Sequence, residues 1–314
     1  MSENMRAAAI ATFTMMLYSI NDACIKLVME VVPLPQTIAC RNVLTVFGTA
    51  VLSGQSAFTE LRAVSARDLR VLGLRTICEI VLTTTFLFSL RHLPMANAAA
   101  VVQVVPLMIV IGGALVFGER VEPADWLISI AGFGGALIII RPGLDGFNAY
   151  ALLLVVAALV AAARDLLSRM VSKAVSPTVV ALVAATGVLL YSLGWIFVSA
   201  TQNPDAAAVV PLGTREVLLL VATASLLLSA NVLAVVMMRT GAVGFAAPFR
   251  YTLLLWASVI QLVAFGSWPD GPTCVGGSVI VGAGLAALQR ESQRRASSAD
   301  LSDALLDEER PAKA

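Results

Sequence analysis

Long apolar segments, separated by short polar connections, follow one another along most of this chain. Each is long enough for a helix that crosses a bilayer, which needs about 20 apolar residues. The segments lie at residues 7–29, 35–53, 69–90, 94–117, 123–140, 149–171, 177–199, 215–238, 243–265 and 272–289. Prolines near several starts, where a helix opens without losing an internal hydrogen bond, support these boundaries: Pro35, Pro94, Pro123, Pro177 and Pro272. We therefore predict an all-α polytopic membrane protein with ten transmembrane helices.

The composition agrees with this pattern and excludes two other classes of protein. Hydrophobic residues make up 59% and charged residues 13% of the 314 residues, and the mean hydropathy is +0.88. A soluble domain of this length does not bury that much apolar surface. The net charge of +1 and the lack of a basic stripe argue against nucleic acid as a partner. The polar, charged residues 290–314 are expected to form a disordered cytoplasmic tail.

Lysine and arginine are distributed unequally between the two sets of connections. If the N-terminus is cytoplasmic, the cytoplasmic set contains Arg6, Arg62, Arg67, Arg70, Arg120, Arg169, Lys173, Arg239, Arg290, Arg294 and Arg295. The opposite set contains Arg91, Arg141 and Arg215, with Lys26 at its border. Since positive residues accumulate on the cytoplasmic side, we predict that both termini are cytoplasmic.

The second half of the sequence repeats the first. Phe117-Gly118 aligns with Phe265-Gly266 without a gap, and each pair stands between two apolar segments with a short proline-containing turn. Five helices per half is an odd number, so the two copies must have opposite orientations in the membrane. Such inverted repeats are typical of secondary transporters, whose substrate site lies near the midplane between the halves. The predicted repeats cover residues 1–143 and 144–289.

Proline, glycine and aromatic positions recur in a fixed order in the two halves. In the first half these are Pro94-x-Ala96-x-Ala98, Pro106, Phe117-Gly118-Glu119-Arg120, Trp126, Gly132, Gly134 and Arg141-Pro142-Gly143. In the second they are Gly244, Pro248, Arg250-Tyr251, Trp256, Phe265-Gly266, Gly282 and Gly284, with Ser267 where an acidic residue usually follows the glycine. Both sets resemble EamA domains of the drug/metabolite transporter superfamily. The resemblance implies a carrier of small metabolites in the inner (plasma) membrane, and we expect no cofactor.

A few polar positions narrow the resemblance. Asn21-Asp22 and Lys26 lie in the first segment, Arg41 lies in the second and Arg75 in the third. This set is similar to a group within the superfamily that includes S-adenosylmethionine carriers.

Ionisable residues inside apolar segments are costly and usually face a cavity or a partner. Eight lie more than two residues from the ends of these segments: Asp22, Lys26, Arg41, Arg75, Glu79, Arg164, Asp165 and Arg250. Five of these are cations and three are acids, an excess of two positive charges. We therefore predict a substrate with a carboxylate or zwitterionic group, held by a forked guanidinium.

Each ionisable residue also has a structural interpretation. Asp22 with Lys26, and Arg75 with Glu79, are spaced i,i+4 and can neutralise each other on one helix face. Lys26 can instead extend outward from its helix end. Adjacent residues point in different directions on a helix, so Arg164 and Asp165 need other partners, either as a gate or as interface anchors.

Arg41 and Arg250 have no acid within reach on their own helices and are the strongest candidates for substrate contacts. The predicted substrate site comprises Arg41, Arg250, Arg75, Glu79, Asp22, Asn21, Tyr18, Gln103 and Tyr251. Arg164 and Asp165 are predicted to serve gating or coupling.

Function is predicted to be transport of a small metabolite by alternating access of the two repeats. Asp22 or Glu79 are candidates to carry a coupling proton, and the sequence does not separate coupled transport from exchange or facilitated diffusion. Pro106 should kink its helix. Gly132 with Ala136, and Ser278 with Gly282, should allow close helix packing.

The alternative is a membrane-embedded enzyme that uses buried acids such as Asp22 and Glu79. Such an enzyme needs a nucleophile with a base, or a metal site. The chain has one histidine, His92, and neither an HExxH nor a GxSxG motif, so we expect no metal and no catalytic centre. A channel or receptor is disfavoured because no filter-like motif is present.

Overall fold

The computed structural model describes residues 3–105, 123–140, 148–172, 174–202, 209–239 and 252–283, with isolated positions between 108 and 116 and between 285 and 293. Within these ranges the chain is helical and contains no strand. The predicted site residues Arg250 and Tyr251, and the predicted kink residue Pro106, lie outside the described residues.

The described helices follow the predicted apolar segments. They are α1 (Glu3–Val28), α2 (Leu34–Ala63), α3 (Ala66–His92), α4 (Met95–Val102), α5 (Pro123–Ile140), α6 (Ala149–Met170), α7 (Pro177–Gln202), α8 (Thr214–Arg239), α9 (Thr252–Phe265) and α10 (Gly271–Ala283). The bounds of α5, α6 and α8 agree with the predicted spans to within one residue. Three described segments are by themselves long and apolar enough to cross a membrane, Ala66–His92, Ala149–Ser168 and Thr178–Gln202. The chain is thus a polytopic helical membrane protein, and the count of ten spans stays a prediction.

Short polar signals set several helix ends. The Ser65 hydroxyl accepts a hydrogen bond from the Asp68 amide at 3.1 Å and caps α3. Asn148 caps α6 by accepting from the Tyr150 amide at 2.9 Å. Gly266 ends α9 with a φ of +66°, and its amide donates to the Leu262 carbonyl at 3.0 Å. The signals at Ser65 and Gly266 confine the connections α2–α3 and α9–α10 to a few residues.

Two helices depart from the predicted spans. We expected the second helix to end at residue 53, but α2 continues to Ala63 across a break at Gly54, whose φ is +58°. Helix α4 ends early, because the amides of Gln103 and Val104 bond to carbonyls three residues back, Ala100 at 3.2 Å and Val101 at 3.1 Å. This local tightening directly precedes Pro106, where the sequence predicts a kink.

The helices of the first half pack mainly against those of the second. Helix α1 packs on α8 and α9, α2 on α7 and α8, α3 on α6 and α7, and α4 on α6 and α9. The largest buried apolar cluster includes Ile25, Met29, Ile38, Leu90 and Met95. These side chains come from the end of the bundle that is predicted to face outward.

Helices α5 and α10 approach each other backbone to backbone. A Cβ atom added at Gly135 would lie 2.7 Å from the Gly276 carbonyl oxygen and 2.8 Å from Cγ1 of Ile280. The sequence led us to expect the close approach at Gly132 with Ala136 and at Ser278 with Gly282. The first pair is buried, but Ser278 and Gly282 are exposed. The expectation was therefore wrong for α10, whose packing face carries Gly276.

Candidate functional site

A network of charged side chains lies between α3 and α6. Oε2 of Glu79 on α3 is 3.4 Å from Nη1 of Arg164 on α6 and 3.7 Å from Nη1 of Arg75, one turn earlier on α3. The side chains are 15–25% exposed. Glu79 therefore joins an arginine from each predicted repeat, and an uncompensated charge at this depth would be costly.

The other partners in this network differ from those expected. Oδ1 of Asp165 accepts from Nε of Arg164 at 2.9 Å and from Nη2 at 2.8 Å. We expected these neighbours to have other partners. Arg164 does have one in Glu79, but the two neighbours also pair with each other, because the long arginine side chain folds back onto Asp165. Arg75 also donates from Nε to the Ser168 hydroxyl at 2.9 Å, so it is held by α6 as well as by Glu79.

Arg41 on α2 extends this network toward α1. It is 7% exposed and interacts electrostatically with Asp22 on α1 and Glu79 on α3. Its Nε has no hydrogen-bond partner among the described residues. The Asp22 carboxylate accepts from Nδ2 of Asn21 at 3.0 Å, while Oδ1 of Asn21 has no hydrogen-bond partner within the described ranges. Arg41 and Asn21 thus retain an unused donor and an unused acceptor next to buried charges of both signs.

Three further predicted residues have different placements. Tyr18 on α1 interacts electrostatically with Arg164. Gln103 is buried at the end of α4, and its Nε2 lacks a hydrogen-bond partner in the described part of the chain. No hydrogen bond or ion pair among the described residues joins Gln103 to the charged network. We call the joined residues, listed here, the polar cluster: Tyr18, Asn21, Asp22, Arg41, Arg75, Glu79, Arg164 and Asp165.

Lys26 does not belong to this cluster. Its Nζ donates to the Leu93 carbonyl oxygen and lies 5.5 Å from the centre of the Phe265 ring. It neither extends outward nor pairs with Asp22, and it instead ties α1 to the α3–α4 turn and to α9. In the described residues the three arginines of the polar cluster face three acids, so the predicted excess of positive charge is absent there.

Sequence reasoning missed a polar stripe on α2. Asn42, Thr45 and Thr49 are buried, and each donates to the carbonyl four residues back, at 2.8, 2.9 and 2.7 Å. The signal was available, because Arg41, Thr45 and Thr49 share one helix face at a spacing of four. Ser168, the partner of Arg75, carried no such signal, since a lone serine in a helix usually bonds its own backbone.

The polar cluster offers unused hydrogen-bonding atoms to a polar, charged ligand. Within the described residues, no three or more His, Cys, Asp or Glu side chains lie close enough together to hold a metal ion. Unsatisfied buried polar atoms cost free energy, about 1–3 kcal/mol each. A ligand that supplies a carboxylate to Arg41 and a donor to Asn21 would remove that cost.

Comparison with known proteins finds one matching family and several similar transporters. Residues 5–141 match the EamA-like transporter family. The riboflavin transporter of Rhizobium johnstonii is 29% identical over 66% of this chain and 66% of its own length. The S-adenosylmethionine uptake transporter of Rickettsia felis is 25% identical over 67% of this chain and 68% of its own length. The pseudopaline exporter CntI of Pseudomonas aeruginosa is 23% identical over 52% of this chain and 56% of its own length. The chain therefore spans 56–68% of the length of these relatives.

One crystal structure shares the fold. It matches with a TM-score of 0.57 and 21% sequence identity, over 93% of this chain and 98% of that one. The family and the names of the relatives point to a transporter and not to an enzyme. The first part of the chain thus matches the EamA-like transporter family, and the chain is similar to transporters named for riboflavin, S-adenosylmethionine and pseudopaline.

Proposed function

We propose that this chain carries a small metabolite with a carboxylate or zwitterionic group, such as an amino acid or an S-adenosylmethionine-like compound, across the inner (plasma) membrane. The observation that carries the proposal is the buried Arg41, whose Nε lacks a partner among the described residues while Asp22 and Glu79 lie nearby. A guanidinium with a free N–H is a strong site for a carboxylate. The acids beside it favour a substrate that also bears a positive group.

The relatives support a substrate of this size. Their names concern riboflavin, S-adenosylmethionine and pseudopaline, all carried as small molecules. In the proposed site Arg41 and Arg250 contact the carboxylate, Asn21 accepts from the positive group, and Tyr18 and Tyr251 supply an aromatic wall. Gln103 adds a donor from α4. Arg75 and Glu79 shape the inner side of the site, and Arg164 with Asp165 act as the gate or coupling element.

We further propose ten membrane spans, cytoplasmic termini and two inverted repeats, residues 1–143 and 144–289. The packing pattern supports this arrangement. We exchange each of α1–α5 with its counterpart among α6–α10, so that α1 becomes α6 and α8 becomes α3. The α1–α8 contact then becomes α6–α3, α2–α8 becomes α7–α3, and α1–α9 becomes α6–α4. All six contacts occur, and the exchange maps α2–α7 and α4–α9 onto themselves. Alternating access by rocking of the repeats follows from this symmetry.

Uptake into proteoliposomes tests the proposal. Labelled amino acids, S-adenosylmethionine, riboflavin and organic anions would be offered with and without a pH gradient, which also tests whether transport is coupled to protons. An effect of the gradient that is lost in Asp22→Asn or Glu79→Gln protein would assign the coupling proton to that residue. Saturable uptake should fall at least tenfold in Arg41→Ala, since a charge-assisted hydrogen bond is worth about 1.5–3 kcal/mol. Arg70→Ala, which removes an exposed arginine from α3, should leave uptake unchanged. Normal uptake by Arg41→Ala protein would refute the assignment.

A further inference from the structure

The predicted cytoplasmic end of the bundle is held by two carboxylates. Oδ1 of Asp68, in the first turn of α3, accepts from the Ser172 amide at 3.0 Å. A carboxylate oxygen of Glu60, near the end of α2, accepts from the Ser176 amide. Both amides belong to the connection between α6 and α7. We call these two contacts the inner latch, and each joins the first half of the chain to the second.

The opposite end has a latch of different chemistry. The side-chain amide of Gln36, in the first turn of α2, pairs with both backbone groups of Val210 in the connection before α8. Nε2 donates to the Val210 carbonyl at 2.7 Å, and Oε1 accepts from the Val210 amide at 2.8 Å. Gln36 is 4% exposed. This contact, the outer latch, also joins the two halves.

Each latch lies on a small apolar cluster of its own. At the inner end Ala57, Val175, Val179 and Leu182 are buried together, with Val64 and Val171 packed against them. At the outer end Val28, Val32 and Leu220 are buried, with Val210 and Leu212 packed against them. Each latch is therefore backed by apolar side chains that come from both halves of the chain.

The exchange of α1–α5 with α6–α10, which relates the helix contacts to one another, also relates the positions of the two latches. The outer latch joins the start of α2 to the connection between α7 and α8. The inner latch joins the connection between α6 and α7, up to Ser176 at the start of α7, to the end of α2 and the start of α3. The polar cluster lies between them, because Arg41 is five residues from Gln36 and Arg75 is seven from Asp68, about 8 and 10 Å along their helices.

We propose that Gln36, and Glu60 with Asp68, are opposed latches that set which side of the membrane the polar cluster faces. The proposal rests on alternating access, the proposed function. When the outer end opens, the inner latch keeps the inner end shut, and the converse holds for the outer latch. Removing one latch therefore favours opening at its own end and leaves the other end closed.

Labelling of Cys78 provides the test. This native thiol lies within electrostatic reach of Arg75, Glu79 and Arg164, so it reports access to the polar cluster. The full chain with Cys24, Cys40 and Cys274 replaced by alanine would be labelled by a membrane-impermeant charged maleimide in right-side-out and in inside-out vesicles. The exposed Glu30→Cys variant would report vesicle sidedness.

The latches predict opposite shifts. Gln36→Ala should raise the outer-to-inner ratio of labelling rates at least fivefold, and Asp68→Ala or Glu60→Ala should lower it about fivefold, as expected for the loss of one or two hydrogen bonds. Asp68→Asn keeps the Oδ1 acceptor and should behave like the parent. Gln202→Ala, at the exposed end of α7, is the control for Gln36. If Asp68→Ala does not fold, Glu60→Ala tests the same end.

The outcomes separate the two proposals. Labelling from both faces, with shifts of opposite sign, supports the latches. Labelling from both faces without a shift, or with shifts of the same sign, overturns the latches and leaves alternating access standing. Labelling from neither face in every variant refutes the accessible site and the latches together.

Discussion

The crossing of α5 and α10 gives a sharp prediction about stability. A Cβ atom added at Gly135 would lie 2.7 Å from the Gly276 carbonyl oxygen, whereas ordinary contacts begin at 3.4 Å. The neighbouring atom is backbone and cannot rotate away. The helices must therefore separate by about 0.7 Å, and a gap of that size forfeits about a quarter to a half of each dispersion contact across the crossing. We expect Gly135→Ala to destabilise the protein by about 1–3 kcal/mol.

The adjacent glycine provides the matched control. A Cβ atom at Gly134 would meet nothing within 4 Å, so Gly134→Ala keeps the packing and gains helix propensity, at most about 1 kcal/mol. The reciprocal variant Gly276→Ala would meet the Gly135 carbonyl and should behave like Gly135→Ala.

Reversible unfolding in mixed detergent micelles, followed by tryptophan fluorescence, measures the difference. Gly135→Ala and Gly276→Ala should unfold at lower denaturant than the parent, and Gly134→Ala at the same concentration or higher. Equal stability of Gly134→Ala and Gly135→Ala would refute the backbone contact.

Three other substitutions test local contacts. Glu79→Gln removes the acid shared by two arginines and should lower the unfolding free energy by about 2 kcal/mol, after allowance for partial exposure; unchanged stability in the same unfolding assay would contradict the ion pairs. The Met95 amide donates to Oε1 of Gln261 at 2.7 Å, and Gln261→Ala removes this acceptor, which should lower the unfolding free energy by about 1–3 kcal/mol. The melting temperature should fall, and an unchanged melting temperature would show that water replaces the contact. Asn148→Ala removes the cap of α6 and should lower the unfolding free energy by about 1 kcal/mol, whereas Asn148→Asp should keep the cap. Equal melting temperatures of these two variants would argue against capping.

The sequence predicted the helices well where apolar length alone decides them. Helix α5 has the same bounds in the sequence pattern and in the structure, Pro123–Ile140. The pattern failed at Gly54, because residues 55–63 are too polar to count as a span yet stay helical beyond the break. It also missed the early end of α4, which depends on the backbone before Pro106 rather than on hydropathy.

For the candidate site, the sequence identified costly residues but not their partners. The cost of burying charge singled out Asp22, Arg41, Glu79 and Arg164, which the structure brings together; their role in transport stays a prediction. It could not assign Lys26, because the Leu93 carbonyl that it contacts is 67 residues away in the chain. Nor could it find Gln36, since one glutamine near a helix start carries no signal until the loop at Val210 is packed against it.

Gly54 has a mechanical consequence for α2. This one helix carries Gln36 and Arg41 on one side of the break and Glu60 on the other. An unbroken helix behaves as a stiff rod, so a tilt that released Glu60 would also displace Arg41 and strain the contact at Val210. A residue with a φ of +58° at this point interrupts the rod. The last turns of α2 can then follow the α6–α7 connection while the turns that carry Gln36 and Arg41 keep their position.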